Sequence, residues 1–151
     1  MTFLSTKTYG HEIGLSCCFR QWKASSHCNL LHGYALSVKF EFFADELDEK
    51  NWVVDFGSLK SLKAWLETKF DHTLLVAHDD PARGYFERMT ELNLARVIIV
   101  EAIGCEAFAK LIYQQGILWL VERGYFPRVG ISSVEVREHG ANSAIYVGEL
   151  S

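Results

Sequence analysis

An α+β domain, an antiparallel sheet carrying helices on one face, is the fold class the sequence predicts. Three observations predict it. Residues 31–42 alternate with the period of a strand, apolar residues at 59, 62, 66 and 70 recur at helical spacing, and strand alternation returns at 134–138. The 151 residues, 49% of them apolar, suffice for one core. With two prolines and no repeat or low-complexity stretch, no linker divides them, so residues 1–151 read as one domain.

The first element, 9–20, is a weak strand candidate that Gly10 and Gly14 interrupt. It precedes the strong strand at 31–42, in which His32, Tyr34, Leu36, Val38, Phe40 and Phe42 share one face. Together they suggest a hairpin whose long connection, 21–30, contains Cys28. The acidic run from Asp45 to Lys50 reads as a solvated turn. Leu59, Leu62, Leu66 and Phe70, with Trp65 beside them, form the buried stripe of a helix that Ser58 or Asp55 caps. From 77 to 101 the pattern is faint: a short helix at 85–92 and an apolar strand-like run at 96–100. A second long helix spans 105–123, carried by Phe108, Leu111, Ile112, Trp119 and Leu120 and stopped by Gly124, with Gly116 weakening it. The chain closes in a hairpin: Val134, Val136 and Glu138 alternate against Glu135 and Arg137, residues 139–142 turn, and 144–147 return.

The formal charge of −4 is spread among both signs, and no basic stripe tracks a phosphate backbone, which argues against a nucleic-acid partner. No apolar run is long enough for a bilayer, and the N-terminal stretch lacks the pattern of a secretion signal. A cytoplasmic location is the expectation. The adjacent Cys17 and Cys18, with Cys28 and Cys105, then read as thiols rather than a disulfide framework.

Chemistry concentrates at a few positions. Glu138 shares a strand face with Val134 and Val136, where an unpaired carboxylate is costly. Either the strand has ended and Glu138 is an exposed turn residue, or its two oxygens anchor the paired N–H donors of a guanine-like or pterin-like ring. Asp71 and His72 adjoin at the end of the first helix, where an Asp can orient a neighbouring imidazole. Cys28, far off in sequence, is a competent acid, base or nucleophile if a His lies near it. By spacing alone this pairing is weak, since buried thiols and helix-end Asp-His pairs are common.

The stretch His27-Cys28-Asn29-Leu30-Leu31-His32-Gly33-Tyr34 resembles the C-x-x-x-H-G-H segment of the 6-pyruvoyl- and 6-carboxytetrahydropterin synthase family. The likeness continues in order through Asp55-Phe56 with Leu59-Lys60, Phe70-Asp71-His72, Glu106, and Val136-Arg137-Glu138. It implies a tunnelling fold: a four-stranded antiparallel sheet with helices on one face, oligomerising into a β-barrel, usually a hexamer, with active sites at subunit interfaces. It further implies a lyase acting on 7,8-dihydroneopterin triphosphate in 7-deazaguanine (queuosine-type) biosynthesis. Cys28, Asp71 and His72 would be catalytic, and Glu138 and Glu106 would bind the pterin. The alternatives are a non-catalytic pterin- or purine-binding protein and a paralogous enzyme with another purine-derived substrate.

One departure stands out. The family binds zinc through three histidines, and only His32 is present here; Tyr34 replaces the second histidine of the triplet, and Phe19 or Cys17 stands at the first-strand position. Two readings follow. In one, the site is rebuilt from His32 with Cys17 or Cys18 and His27. In the other, preferred as a single coherent change, metal is lost, Phe19 packs on Tyr34, and His32 becomes a satisfied core histidine.

Overall fold

Seven strands and three helices make up the described residues, 1–148, of the computed structural model. The strands are β1 (Phe3–Tyr9), β2 (Leu15–Phe19), β3 (His32–Ala44), β4 (Thr73–Ala77), β5 (Arg96–Val100), β6 (Gly130–His139) and β7 (Asn142–Val147). The helices are α1 (Lys60–Phe70), α2 (Arg83–Glu91) and α3 (Cys105–Glu122). The sheet order is β5-β4-β2-β3-β6-β7, with β1 also on β3.

The α+β class stands, but the expectation of four antiparallel strands is corrected. β4 runs parallel to both β2 and β5. Its five residues are all buried, so Thr-Leu-Leu-Val-Ala shows no alternation and merges with the apolar end of the preceding helix. α2 supplies the crossover that parallel neighbours require. β1 escaped notice for the opposite reason: most of its side chains are exposed.

β3 organises the sheet. β2 pairs with its first residues, 32–36, and β1 with its last, 38–44, end to end along one edge. The break between them is a 3-10 turn at His11–Ile13, closed by Gly14 at φ +77°, where a side chain would be strained. β6 lines the other edge.

Packing follows the periodicities. Leu36, Val38, Phe40 and Phe42 of β3 face Leu62, Leu66 and Phe70 of α1 and Phe108, Ile112, Trp119 and Leu120 of α3, all essentially buried. Each large side chain so buried stabilises the fold by about 1.5–3 kcal/mol. Gly116 has a packing reason to be there: a Cβ would lie 2.6 Å from Ile131 Cδ1 and 3.1 Å from Phe40 Cε1, so α3 sits closer to the sheet than alanine would permit. Of the two candidate caps, Asp55 acts, accepting from the Gly57 amide at 2.8 Å ahead of the 3-10 turn Phe56–Leu59. No helix among the described residues is long and apolar enough to cross a membrane.

Candidate active site

β2 and β3 bring Phe19 directly opposite His32 and Cys17 opposite Tyr34. The three rings cluster: Phe19 to His32 5.3 Å, His32 to Tyr34 5.5 Å and Phe19 to Tyr34 6.0 Å between centroids. Phe108 of α3 closes on Phe19 at 5.2 Å. His32 is half-buried rather than a core residue, and its Nδ1–H donates to the Leu30 carbonyl at 2.7 Å. Between His32 and Tyr34, Gly33 is required by close approach: a Cβ there would meet the Cys17 carbonyl oxygen at 2.7 Å.

This donor set does not fit a three-ligand zinc site. Cys17 is buried, and burial first, then Cys18 and Cys105, pushes its thiol up to about 12. Strand alternation directs Cys18 to the other face of the sheet, and His27 is exposed. Among the described residues no group of three or more His, Cys, Asp or Glu side chains is placed to hold a metal ion.

Glu138 is not a turn residue. β6 continues through His139, and the register with β7 shifts between Arg137 and His139, which leaves Glu138 at a bulge, half-buried. Bulges of this kind re-aim a side chain. Here the carboxylate faces the Tyr34 hydroxyl and the Cys105 thiol. Burial and the Glu138 charge raise the Tyr34 phenol above its ordinary range, so it remains a proton-bearing donor. Cys105 opens α3, buried, its thiol pushed up to about 12 by burial, Glu138 and the adjacent Glu106. Glu106 itself is exposed in the first turn of α3. Cys28 lies near enough for its charge to reach Tyr34. The structure thus gathers Cys28, Tyr34, Cys105, Glu106 and Glu138 at one end of the sheet.

Cys28 rides on a 3-10 turn, His27–Asn29, whose N-cap Ser26 accepts from the Cys28 amide at 3.3 Å. Its carbonyl accepts from the Gln21 amide at 2.9 Å, tying the loop's two ends. Beneath the loop is an ion pair between the partly buried Arg20 and the buried Asp80, two residues that carry no local signal of pairing. Arg20 Nε and Nη2 donate to Asp80 Oδ2 and Oδ1 at 3.0 and 2.8 Å, and Arg20 Nη1 donates to the Asn29 carbonyl and Oδ1 at 3.3 and 3.2 Å. The only sequence cue was an Asp79-Asp80-Pro81 turn in the faintest stretch of the chain.

Asp71 and His72 lie elsewhere. They turn the chain from α1 into β4, His72 at φ +55°, a conformation that side chains other than glycine and asparagine adopt at a cost. The His72 amide donates to the Ser16 carbonyl at 2.6 Å, and its Nδ1 stands 2.6 Å from Asp71 Oδ1. The His72 side chain is 86% exposed. It borders an open cleft that Ser16, Cys18, Gly33, Leu74 and Arg96 also line, on the sheet face turned away from α1 and α3. Ser16 is three residues along β2 from Phe19, about 10 Å at strand rise. Cys28 and the Asp71–His72 pair thus stand on separate pieces of the fold, the loop before β3 and the corner between α1 and β4, and Cys28 does not line the cleft that His72 borders.

A mixed sheet with helices packed on one face is the scaffold on which these residues stand. The chain matches the 6-pyruvoyl tetrahydropterin synthase family over residues 10–149, and it belongs to that family. It is 26% identical over 149 residues to a 6-carboxy-5,6,7,8-tetrahydropterin synthase of Aquifex aeolicus, covering 93% of this chain and 92% of that one. With the Rickettsia conorii enzyme of the same name the identity is 36% over 58 residues, 38% of this chain, and the match spans 42% of that relative's length. Among solved structures, an uncharacterized protein from Wolinella succinogenes superposes with a TM-score of 0.83 at 20% identity over 99% of both chains. A Plasmodium vivax 6-pyruvoyltetrahydropterin synthase does so with 0.68 at 14% over 97% of both. At those identities the structural likeness speaks to fold alone.

Proposed function

We propose that the protein is a 6-carboxytetrahydropterin synthase-like lyase acting on 7,8-dihydroneopterin triphosphate, in a cytoplasmic route to 7-deazaguanines. The observation that carries the reading is Glu138: a half-buried carboxylate, aimed by a bulge and within the same cluster as Cys28, is suited to hold the N–H edge of a pterin ring. Glu106 would flank the ring from α3. Cys28 would move a proton at the side-chain carbons, and His72, oriented by Asp71, would be the partner acid or base. Because His72 borders a cleft that Cys28 does not line, the reading includes a homo-oligomer, a hexamer closed into a barrel, in which His72 of one subunit serves Cys28 of another. No step is assigned to zinc, since the donors present do not converge.

Incubation of purified protein with the triphosphate, followed by mass spectrometry, should show the 6-carboxy product, and Cys28→Ala should abolish it. Absence of product, with Cys28→Ala behaving like wild type, sinks the reading. Stoichiometric zinc lost in a His32→Ala variant would restore a metal to the mechanism.

The second reading, a pterin- or purine-binding protein that has lost catalysis, draws on the aromatic packing of Phe19 and Tyr34 where metal-binding histidines would stand. In that case a change at Glu138 abolishes binding while changes at Cys28 and His72 leave both binding and the absence of turnover untouched.

A further inference from the structure

We propose that Arg20, Asp80 and Asn29 form a partly buried clamp whose task is to position Cys28, a role that rests on reading Cys28 as the acting thiol. The clamp joins three separate pieces of chain: Arg20 just past β2, Asp80 in the turn between β4 and α2, and Asn29 directly after Cys28. Asp80 is 5% exposed, and its two oxygens take the Arg20 fork side-on, the pairing with the tightest orientation available to these side chains. Asp80 Oδ1 also accepts from the Ala82 amide at 2.8 Å, so the carboxylate is fixed to its own turn.

The remaining arm of the guanidinium is spent on the loop. Arg20 Nη1 holds Asn29 by main chain and side chain, and Asn29 Nδ2 reaches back to the carbonyls of Trp22 and Ala24 at 2.7 and 3.3 Å. Cys28 is thereby bracketed: its carbonyl is held by Gln21 and the next residue by Arg20, leaving mainly side-chain rotation free. A second tie runs in parallel, where Trp22 Nε1 donates to Asp79 Oδ1 at 3.3 Å and Lys23 pairs with Asp79 Oδ2 at 3.3 Å. Phe86 of α2 covers the guanidinium, 5.8 Å from its ring centre.

Energetics argue that this arrangement specifies a geometry more than it adds stability. A buried ion pair roughly breaks even against well-packed apolar residues, because both charges leave water. What it does well is impose one relative orientation on the segments it joins. A displacement of about 1 Å at a proton-transferring group costs up to about 100-fold in rate, so holding the loop matters most if Cys28 reacts.

The full chain carrying Asp80→Asn, Arg20→Lys or Asn29→Ala tests this by amide hydrogen exchange, iodoacetamide labelling of Cys28 with Cys18 as the internal control, and turnover of the triphosphate. In Asp80→Asn the amides of Gln21, Asn29 and Leu30 should exchange about 10-fold faster while those of β3 stay at wild-type rates. Cys28 labelling should change about 10-fold with Cys18 unchanged, and kcat should fall about 10- to 100-fold at constant KM. Arg20→Lys, which cannot make the fork, should not rescue. Exchange rising uniformly across loop and β3 would mark ordinary stabilisation and overturn the clamp, as would wild-type Cys28 labelling and kcat with the pair removed. If Asp80→Asn does not fold, Asn29→Ala, which keeps the ion pair and the main-chain contact but removes every side-chain bond tying Asn29 to Arg20, Trp22 and Ala24, decides by the same readouts. If the wild type itself makes no product, the reaction falls separately, and exchange and labelling confined to the loop support the clamp or, if absent, overturn it.

Discussion

The Cys28 loop and the Asp71–His72 corner hold the two halves of one proposed proton relay, and they are built in opposite ways. The loop is tied down by an ion pair whose carboxylate is buried and by hydrogen bonds at both ends. The corner's backbone is held by the His72 amide on the Ser16 carbonyl and by Arg96 on the Asp71 carbonyl, but its imidazole projects outward, largely in solvent, with Asp71 as its side-chain partner. The Glu138 anchor sits with the loop, not with the corner. The difference teaches that one chain holds the Cys28 loop near Glu138 and presents its Asp-His pair at a surface, so the proposed relay requires a second copy.

The largest expected effect tests that division directly. Cys28→Ala and His72→Ala should each lower kcat by about 10²- to 10⁴-fold. Co-refolding the two inactive variants should recover about a quarter of wild-type activity, the fraction of shared sites that receive both intact groups. No recovery would place Cys28 and His72 in one subunit and break the comparison.

Next in size, Glu138→Gln should weaken binding of a pterin ligand by about 10- to 100-fold in a calorimetric titration, since a charge-assisted acceptor is lost. Cys28→Ala and His72→Ala should bind as wild type does. Equal weakening in all three would mean that anchor and relay are not separable.

The loop's rigidity has a thermodynamic signature. Asp80→Ala leaves Arg20 without its partner and should reduce unfolding free energy by about 3 kcal/mol in denaturant titrations. The Arg20 hydrogen bond holds the Asp80 carboxyl below the ordinary carboxylate range. A group whose folded-state pKa is depressed stabilises the fold above its unfolded value and loses that contribution as pH falls through the folded one. The stability gap between wild type and Asp80→Asn should therefore be full at pH 7 and shrink as pH drops below about 4. A gap that widens on acidification would show that Asp80 is not held ionised by Arg20.

The smallest effect concerns the strand pair beneath both halves. Gly33→Ala places a Cβ against the Cys17 carbonyl and should cost about 1–3 kcal/mol by forcing β2 from β3. A neutral substitution would show that this edge gives way more readily than the packing implies.

Elements with strong periodicity were legible in the sequence. β3, α1, α3 and the β6–β7 hairpin fall where alternation or helical spacing put them, because their buried stripes leave that pattern in the residues themselves. β4 was not legible, since a strand buried on both sides has no alternation to show, nor was β1, whose exposed side chains carry no apolar signal. Glu138 was recognised as misplaced on an apolar face, but that β6 continues past it with a bulge is a property of two strands rather than one. Arg20 and Asp80 are 60 residues apart, and nothing local marks either as half of an ion pair.

By itself, then, the chain determined the α+β class, the main helices and hairpin, and the family-like residues Cys28, Asp71, His72, Glu106 and Glu138, because periodicity and motif are written in neighbouring residues. Tertiary structure alone decided that the sheet is mixed, with seven strands among the described residues, that Phe19 and Tyr34 pack around His32, and that His72 borders a cleft Cys28 does not line. Those outcomes depend on which segments pair and in what register, and pairing is fixed by packing among residues distant along the chain.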